Sequence, residues 1–297
     1  GYERHQTTSQ SLSGYNDHLF DPFIGELSNA HAQSTMSTGS STYEYLIEGY
    51  LARLQYEYDG KYFLNGSFRR DASSHFAPGH RWGNFGSVGG AWLISKENFL
   101  SDANWIDMLK LKVSYGVQGN DNLGYYFPYI DTYSATYNET TGEYSLSLNF
   151  KGNEDLTWES SHSFNAGLEF ELLKGRVSGD IEYYSRKTSD MLFFFTVSPS
   201  LGYSGYYDNI GDMRNNGVEL SLAELDFSVH PYRNKYIDWA INGNMTWQYN
   251  RISMLPEERK GKTAYRPNGE AYHGYQSSYL FYGENLPMRS WYLKDYA

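Results

Sequence analysis

The 297-residue chain has no cysteine, only 8 prolines, and no apolar run longer than the five residues from Met191 to Phe195. Without cysteine there is no disulfide scaffold and no thiolate metal site, although the absence alone does not fix a compartment. A helix that crosses a bilayer needs roughly 18 or more consecutive apolar residues. None exists here, and the mean hydropathy of −0.65 agrees. Positive charge is also scarce. The 24 Lys and Arg against 35 Asp and Glu leave a net charge of −11, and the isoelectric point is near 5.2. Such a chain repels a phosphate backbone, so no nucleic-acid partner is expected. The opening Gly1-Tyr2-Glu3 lacks an initiator Met and the charged and apolar segments of an export signal. The chain is therefore expected to be a processed or partial one.

Aromatic residues are abundant: 30 Tyr, 16 Phe and 7 Trp make 18% of the sequence, within an apolar fraction of 40% that excludes a disordered polymer. They fall in a pattern of period two. Leu109, Leu111, Val113, Tyr115 and Val117 alternate with Lys110, Lys112, Ser114 and Gly116. Phe164, Ala166, Leu168, Phe170 and Leu172 alternate with Asn165, Gly167, Glu169 and Glu171. From Ile237 to Tyr249 the alternation persists for thirteen residues, about 40 Å of extended chain. Period two means strands with one apolar and one polar face. About eleven are expected, near 2–10, 43–58, 61–70, 82–95, 109–118, 160–173, 175–188, 216–229, 236–250, 274–284 and 288–297. Val218, Leu220 and Leu222 share a parity that Leu225, Phe227 and Val229 abandon, which predicts a bulge near Ala223. Lys96 to Met108 is the one helical candidate.

The connections alternate too. Asp59-Gly60 and Lys174-Gly175 are tight hairpin signals, whereas 14–42, 119–157, 189–215 and 251–273 are long and rich in Gly, Ser, Asn, Asp and Tyr. Short turns on one rim and long loops on the other describe an up-and-down antiparallel array, with no domain boundary in 1–297. Strands of ten to fourteen residues match the 9 to 11 that cross a bilayer at a tilt, with some to spare. Aromatics such as Tyr56 and Tyr58, Tyr183 and Tyr184, and Trp247 and Tyr249 recur at strand ends, as interfacial girdles require. In hydrocarbon every backbone amide must be bonded within the protein, so with helices excluded a closed barrel is the remaining spanning form. The expected fold is all-β, an antiparallel transmembrane β-barrel. A soluble carbohydrate-binding β-sandwich is the competing all-β reading, and a small outer-membrane barrel enzyme, a protease or lipase, is another.

Several ordered blocks carry a family resemblance. They are Tyr50-Leu51-Ala52-Arg53-Leu54-Gln55-Tyr56 with Arg69-Arg70-Asp71-Ala72-Ser73-Ser74 and Phe76-Ala77-Pro78-Gly79, then Trp92-Leu93-Ile94-Ser95 with Leu109 to Asn120. Asn153-Glu154-Asp155-Leu156-Thr157-Trp158-Glu159 follows, and then Thr188 to Leu192, Leu201-Gly202-Tyr203, Asn209-Ile210-Gly211 and Asn215-Asn216-Gly217-Val218-Glu219-Leu220. Across about 43–250, with a weaker tail near Trp291 to Ala297, the chain resembles the SusC/RagA-like TonB-dependent outer-membrane transporters of Bacteroidetes. The resemblance implies a plugged barrel of about 22 strands, of which this chain supplies about half, the N-terminal plug and C-terminal strands lying outside it. It also implies contact with outer-membrane lipid, a SusD-like surface lipoprotein lid, energisation by TonB through the plug, and uptake of oligosaccharides or peptides. A dimer of transporter and lid pairs is the assembly it suggests. No enzymatic activity and no cofactor are implied.

Among chemistry-bearing residues, His75 with His80 and His5 with His18 are the close histidine pairs, for which solvated loop histidines are the default reading. Asp121, Asn122 and Glu139 lack calcium-loop spacing. The acidic pairs Glu169 with Glu171 and Asp180 with Glu182 suit a wetted wall better than an acid and base of divided pKa. No metal or catalytic site is expected. The loop aromatics Tyr125, Tyr126, Phe127, Tyr129, Tyr133 and Tyr137, and Phe193, Phe194, Phe195, Tyr203, Tyr206 and Tyr207, are the candidates for contact with substrate or lid. Flat sugar faces stack on such rings, while packing between loops is the competing role.

Overall fold

The computed structural model describes residues 1–15, 21, 23–25, 37–232, 235–257, 260–265, 269–277, 280–288 and 290–291. Nine long strands pair consecutively along the chain: β1 (Tyr2–Tyr15), β2 (Ser37–Tyr58), β3 (Tyr62–Ser73), β4 (Trp82–Leu93), β5 (Ile106–Asn120), β8 (Glu159–Leu172), β9 (Val177–Ser189), β12 (Asp212–Tyr232) and β13 (Lys235–Met254). They form one antiparallel sheet in the order β1-β2-β3-β4-β5-β8-β9-β12-β13. These match the first nine expected strands, several of them longer than expected. Among the described residues β1 and β13 remain its two open edges.

Local chemistry fixes the short rim. Asp59 and Gly60 take φ of 53° and 57°, the left-handed pair of a two-residue hairpin. Leu173, Lys174 and Gly175 are also left-handed. The expected bulge is present: β12 shifts register between Leu222 and Leu225 against β13 and between Leu222 and Glu224 against β9.

Three expectations are corrected. Lys96 to Met108 is not a helix. Two 3-10 turns, Ile94–Lys96 and Asn98–Leu100, flank an extended Glu97, and β5 already begins at Ile106. Glu97 accepts from Tyr62 Oη at 2.6 Å and Trp92 Nε1 at 3.1 Å, which holds the segment against the wall and out of helical geometry. The expected strand 274–284 and the described part of 288–297 do not extend the large sheet. Four short strands, β14 (Lys262–Tyr265), β15 (Ala271–Ser277), β16 (Leu280–Gly283) and β17 (Ser290–Trp291), make a separate sheet. Tyr275 pairs with Tyr282 and Gln276 with Phe281, so the alternating stretch is a hairpin folded on itself. The long loops 119–157 and 189–215 contain hairpins of their own: β6 (Thr132–Asn138) with β7 (Glu143–Phe150), and β10 (Met191–Thr196) with β11 (Gly205–Ile210). His18, the tail after Trp291 and much of 14–42 lie outside the described residues.

Directly opposed residues share a face, so the register draws rows across the sheet. One row reads Tyr56, Leu64, Gly90, Val113, Ala166, Tyr183, Val218 and Trp247, and the next Tyr58, Tyr62, Trp92, Leu111, Leu168, Ile181, Leu220 and Met245. On the opposite face a row reads Gln55, Asn65, Gly89, Ser114, Asn165, Tyr184, Gly217 and Gln248. The apolar rows are uncovered: Leu54 and Trp247 are each 66% exposed and Met245 65%. No second layer of the described residues packs over them, as a sandwich would require. The buried core lies instead at the long-loop rim, in Phe76, Leu123, Leu156 and Trp158.

Candidate functional site

The rim core is built on glycine. Phe85 of β4 lies so close to Gly83 and Gly119 that a side chain at either position would overlap its ring. Trp158 then meets Phe85 edge-on at 5.2 Å and Phe76 at 5.4 Å. Its indole Nε1 donates to the carbonyl of Arg81 at 2.8 Å, satisfying the one polar atom that burial would orphan. Ile47, Leu192 and Tyr207 pack on this cluster.

Asparagines bind the loops to one another. Asn209 donates to the carbonyls of Thr157 (2.9 Å) and Asp190 (2.8 Å) and accepts from the Thr157 amide (2.8 Å). Asn153 donates to the Tyr207 carbonyl and the Asp208 carboxylate, both at 3.1 Å.

Beside this core lies a polar knot. Asp121, just past β5, accepts from Ser73 Oγ at 2.5 Å and Tyr45 Oη at 3.0 Å. His75 Nδ1 lies 2.8 Å from the Asp121 carbonyl and 3.5 Å from its carboxylate. A carbonyl only accepts, so the neutral imidazole carries its proton on Nδ1. Burial favours the neutral carboxyl of Asp121, but the hydrogen bonds from His75, Ser73 and Tyr45 outweigh it and hold the group below the ordinary carboxylate value.

The knot forms one wall of a cavity of about 430 Å³ lined by His5, Thr7, Tyr45, His75, Asn122, Gly124, Tyr125 and Tyr126. Its size and its mixture of rings, hydroxyls and imidazoles suit a small polar ligand or one unit of a longer one. No group of His, Asp and Glu able to hold a metal ion occurs among the described residues.

The structure divides the candidate aromatics. Tyr125 stacks on Phe150 at 4.5 Å, and Phe194 and Tyr207 close around the same ring at 6.5 and 6.1 Å. Tyr207 also donates to the Leu123 carbonyl at 2.7 Å, and burial first, then Tyr125, pushes its hydroxyl pKa up. This cluster packs loops together. Tyr126 stacks on Tyr43 at 5.0 Å and turns toward His75 at 6.3 Å, at the cavity. Phe193 and Tyr206 flank Phe195 at 5.4 and 5.7 Å within the β10–β11 hairpin, and Tyr137 pairs with Tyr144 at 4.9 Å. Tyr133 is exposed, whereas Phe127, Tyr129 and Tyr203 are half-buried.

Sequence reading missed Phe150, Tyr43, Tyr45 and the roles of His75 and Asp121. Phe150 had a signal, since Tyr144, Leu146, Leu148 and Phe150 alternate within β7. The knot had none, because its members come from three separate segments, around Tyr45, Ser73 to His75, and Asp121.

Residues 1–291 match the family described as TonB dependent receptor-like, beta-barrel. The chain is 32% identical over 257 residues to TonB-dependent receptor SusC of Bacteroides thetaiotaomicron, covering 84% of this chain and 24% of that protein. It is 32% identical over 238 residues to TonB-dependent receptor P39 of Formosa agariphila, covering 80% and 22%. Among solved structures, that of the RagAB peptide transporter superposes with a TM-score of 0.75 at 28% identity, over 92% of this chain and 30% of that one. The chain thus spans about a quarter of the length of the curated relatives it matches.

Proposed function

Since this chain belongs to the TonB-dependent receptor β-barrel family, we propose that it is wall and rim of an importer that takes up oligosaccharides or peptides. The protein is an outer-membrane β-barrel and, like relatives named as receptors, not an enzyme. The nine-stranded sheet is an arc of wall, and neighbouring strands of the complete barrel close its edges, as a bilayer demands. Lipid touches the apolar rows. The row from Gln55 to Gln248 faces a lumen occupied by water, cargo or a plug.

The observation that carries this reading is the contrast between the two faces of one sheet, joined to a cavity at the long-loop rim. Tyr126, His75 and Tyr45 present rings and polar atoms there to arriving cargo. A SusD-like lipoprotein covers that rim and delivers cargo to it, and TonB drives release through a plug. The solved relative named as a peptide transporter favours peptides among the cargo.

The test is a pull-down of the receptor in detergent, followed by calorimetry of the isolated complex with oligosaccharide and peptide pools. Co-purification of a lipoprotein and saturable binding of one pool are expected. A receptor that captures neither partner nor ligand contradicts the assignment.

A further inference from the structure

Four basic side chains stand in one row across four strands. His162 pairs with Lys187, Lys187 with Arg214, and Arg214 with Arg251. They share the apolar face with Phe164, Tyr183 and Trp247, and lie four residues beyond the Tyr183 and Trp247 row toward the long loops. At roughly 3.3 Å per residue that is about 13 Å along the strands, at the upper margin of the apolar band.

Like charges directly opposed across a ladder destabilise it. Two members of the row have partners: Lys187 pairs with Asp212 at 2.7 Å, and His162 Nδ1 is 2.9 Å from Tyr115 Oη. Arg214 and Arg251 are different. They face each other, and the Nε of each is buried with no hydrogen-bond partner among the described residues. Arg251 lies over the Tyr249 ring at 6.0 Å. A cavity of about 320 Å³ lined by Tyr115, His162, Phe164, Ser185, Lys187 and Arg214 opens on the Arg214 side of the pair.

We propose that this row binds the phosphate of a lipid headgroup in the outer leaflet, an inference that rests on the membrane reading given above. Two guanidinium forks and an ammonium supply the planar and point-charge donors that phosphate takes, and a phosphate between Arg214 and Arg251 converts their repulsion into two attractions. Phe164, Tyr115 and Tyr249 supply the apolar floor for the adjoining acyl chains and sugar ring. The position, outward-facing and bordering the apolar band, fits a lipid rather than imported cargo.

The test compares the detergent-purified receptor with the R214Q/R251Q variant in mixed micelles carrying diphosphoryl lipid A or its dephosphorylated form. Wild type is expected to bind the phosphorylated lipid at least tenfold tighter than the variant does, and at least tenfold tighter than it binds the dephosphorylated lipid. The R214K/R251K variant, with charge but no fork, falls between. Millimolar inorganic phosphate leaves lipid binding unchanged. Equal binding by R214Q/R251Q or of dephosphorylated lipid overturns the proposal, and so does saturation by inorganic phosphate alone, which indicates a free-anion site. A heat-modifiable gel shift in both proteins shows that each barrel is closed. Its absence in wild type counts against the membrane reading itself, separately from the lipid site.

Discussion

The hydroxyl of Tyr45 donates to Oδ2 of Asp121 at 3.0 Å, joining the upper end of β2 to a residue 76 positions later. With Ser73 on the same carboxylate and His75 Nδ1 on the Asp121 carbonyl, the contact fastens loop to wall. Asp121→Asn replaces a charged acceptor by a neutral amide and is expected to loosen the rim by about 2 kcal/mol, seen as faster proteolysis at 121–131 with the barrel's gel shift unchanged. The depressed pKa sets a pH dependence. A carboxyl lower in the folded state contributes stability above its unfolded value of 3.8 and loses it as pH falls through the depressed folded value. Wild-type rim protection should stay level from pH 8 to 5 and fall below about pH 4, while the Asn variant lacks this step.

Gly119→Ala places a methyl group against the Phe85 ring. Displacing that ring also removes support from Trp158, and a cost of about 1–3 kcal/mol is expected. In a double-mutant cycle, Phe85→Leu should offset part of the loss. Strict additivity of the two substitutions contradicts the contact.

The aromatic candidates should separate by phenotype. Phe194→Ala removes packing around Phe150 and is expected to lower rim stability by about 2 kcal/mol. Tyr126→Ala, at the cavity, is expected to weaken cargo binding about tenfold with little change in stability, since one stacking ring contributes roughly that much. Calorimetry and thermal unfolding of both variants check the division. Unchanged affinity in the Tyr126 variant removes its substrate role.

An outward-facing charge tests the wall. Ile181→Arg, in an apolar row, should cost about 2–4 kcal/mol in a lipid-reconstituted barrel, whereas Glu182→Gln, one residue along on the other face, should stay within about 0.5 kcal/mol. Reversible denaturant unfolding in lipid vesicles measures both.

How much of this was legible in the sequence follows from the range of the forces involved. Alternation is local, so Leu109 to Val117 and Phe164 to Leu172 announce their strands, and a parity break announces the bulge at Ala223. The turn at Asp59-Gly60 is equally local. Alternation does not name a partner, however, and so Gly274 to Gly283 reads as one wall strand when it is a hairpin paired with itself. The segment from Lys96 to Met108 departs from its helical pattern because Glu97 is held by Tyr62 and Trp92, contacts no such pattern can report. The aromatic loops stood out by composition, yet only coordinates divide Phe194 and Tyr207, packed around Phe150, from Tyr126 at the cavity, and show Tyr125 bordering both. The knot of Tyr45, Ser73, His75 and Asp121 depends wholly on long-range register.

The central claim, that lipid bathes one face of the sheet and water the other, is tested most directly by spin-label accessibility. The 297 residues contain no cysteine, so single cysteines at positions 181 and 183 and at 182 and 184 can carry nitroxides on opposite faces of β9 in a vesicle-reconstituted barrel. Labels at 181 and 183 should collide preferentially with dissolved oxygen, which partitions into lipid. Those at 182 and 184 should collide less with oxygen and more with a water-soluble nickel chelate wherever the lumen is wet. Equal nickel accessibility at all four positions, or oxygen preference without alternation, would contradict the account.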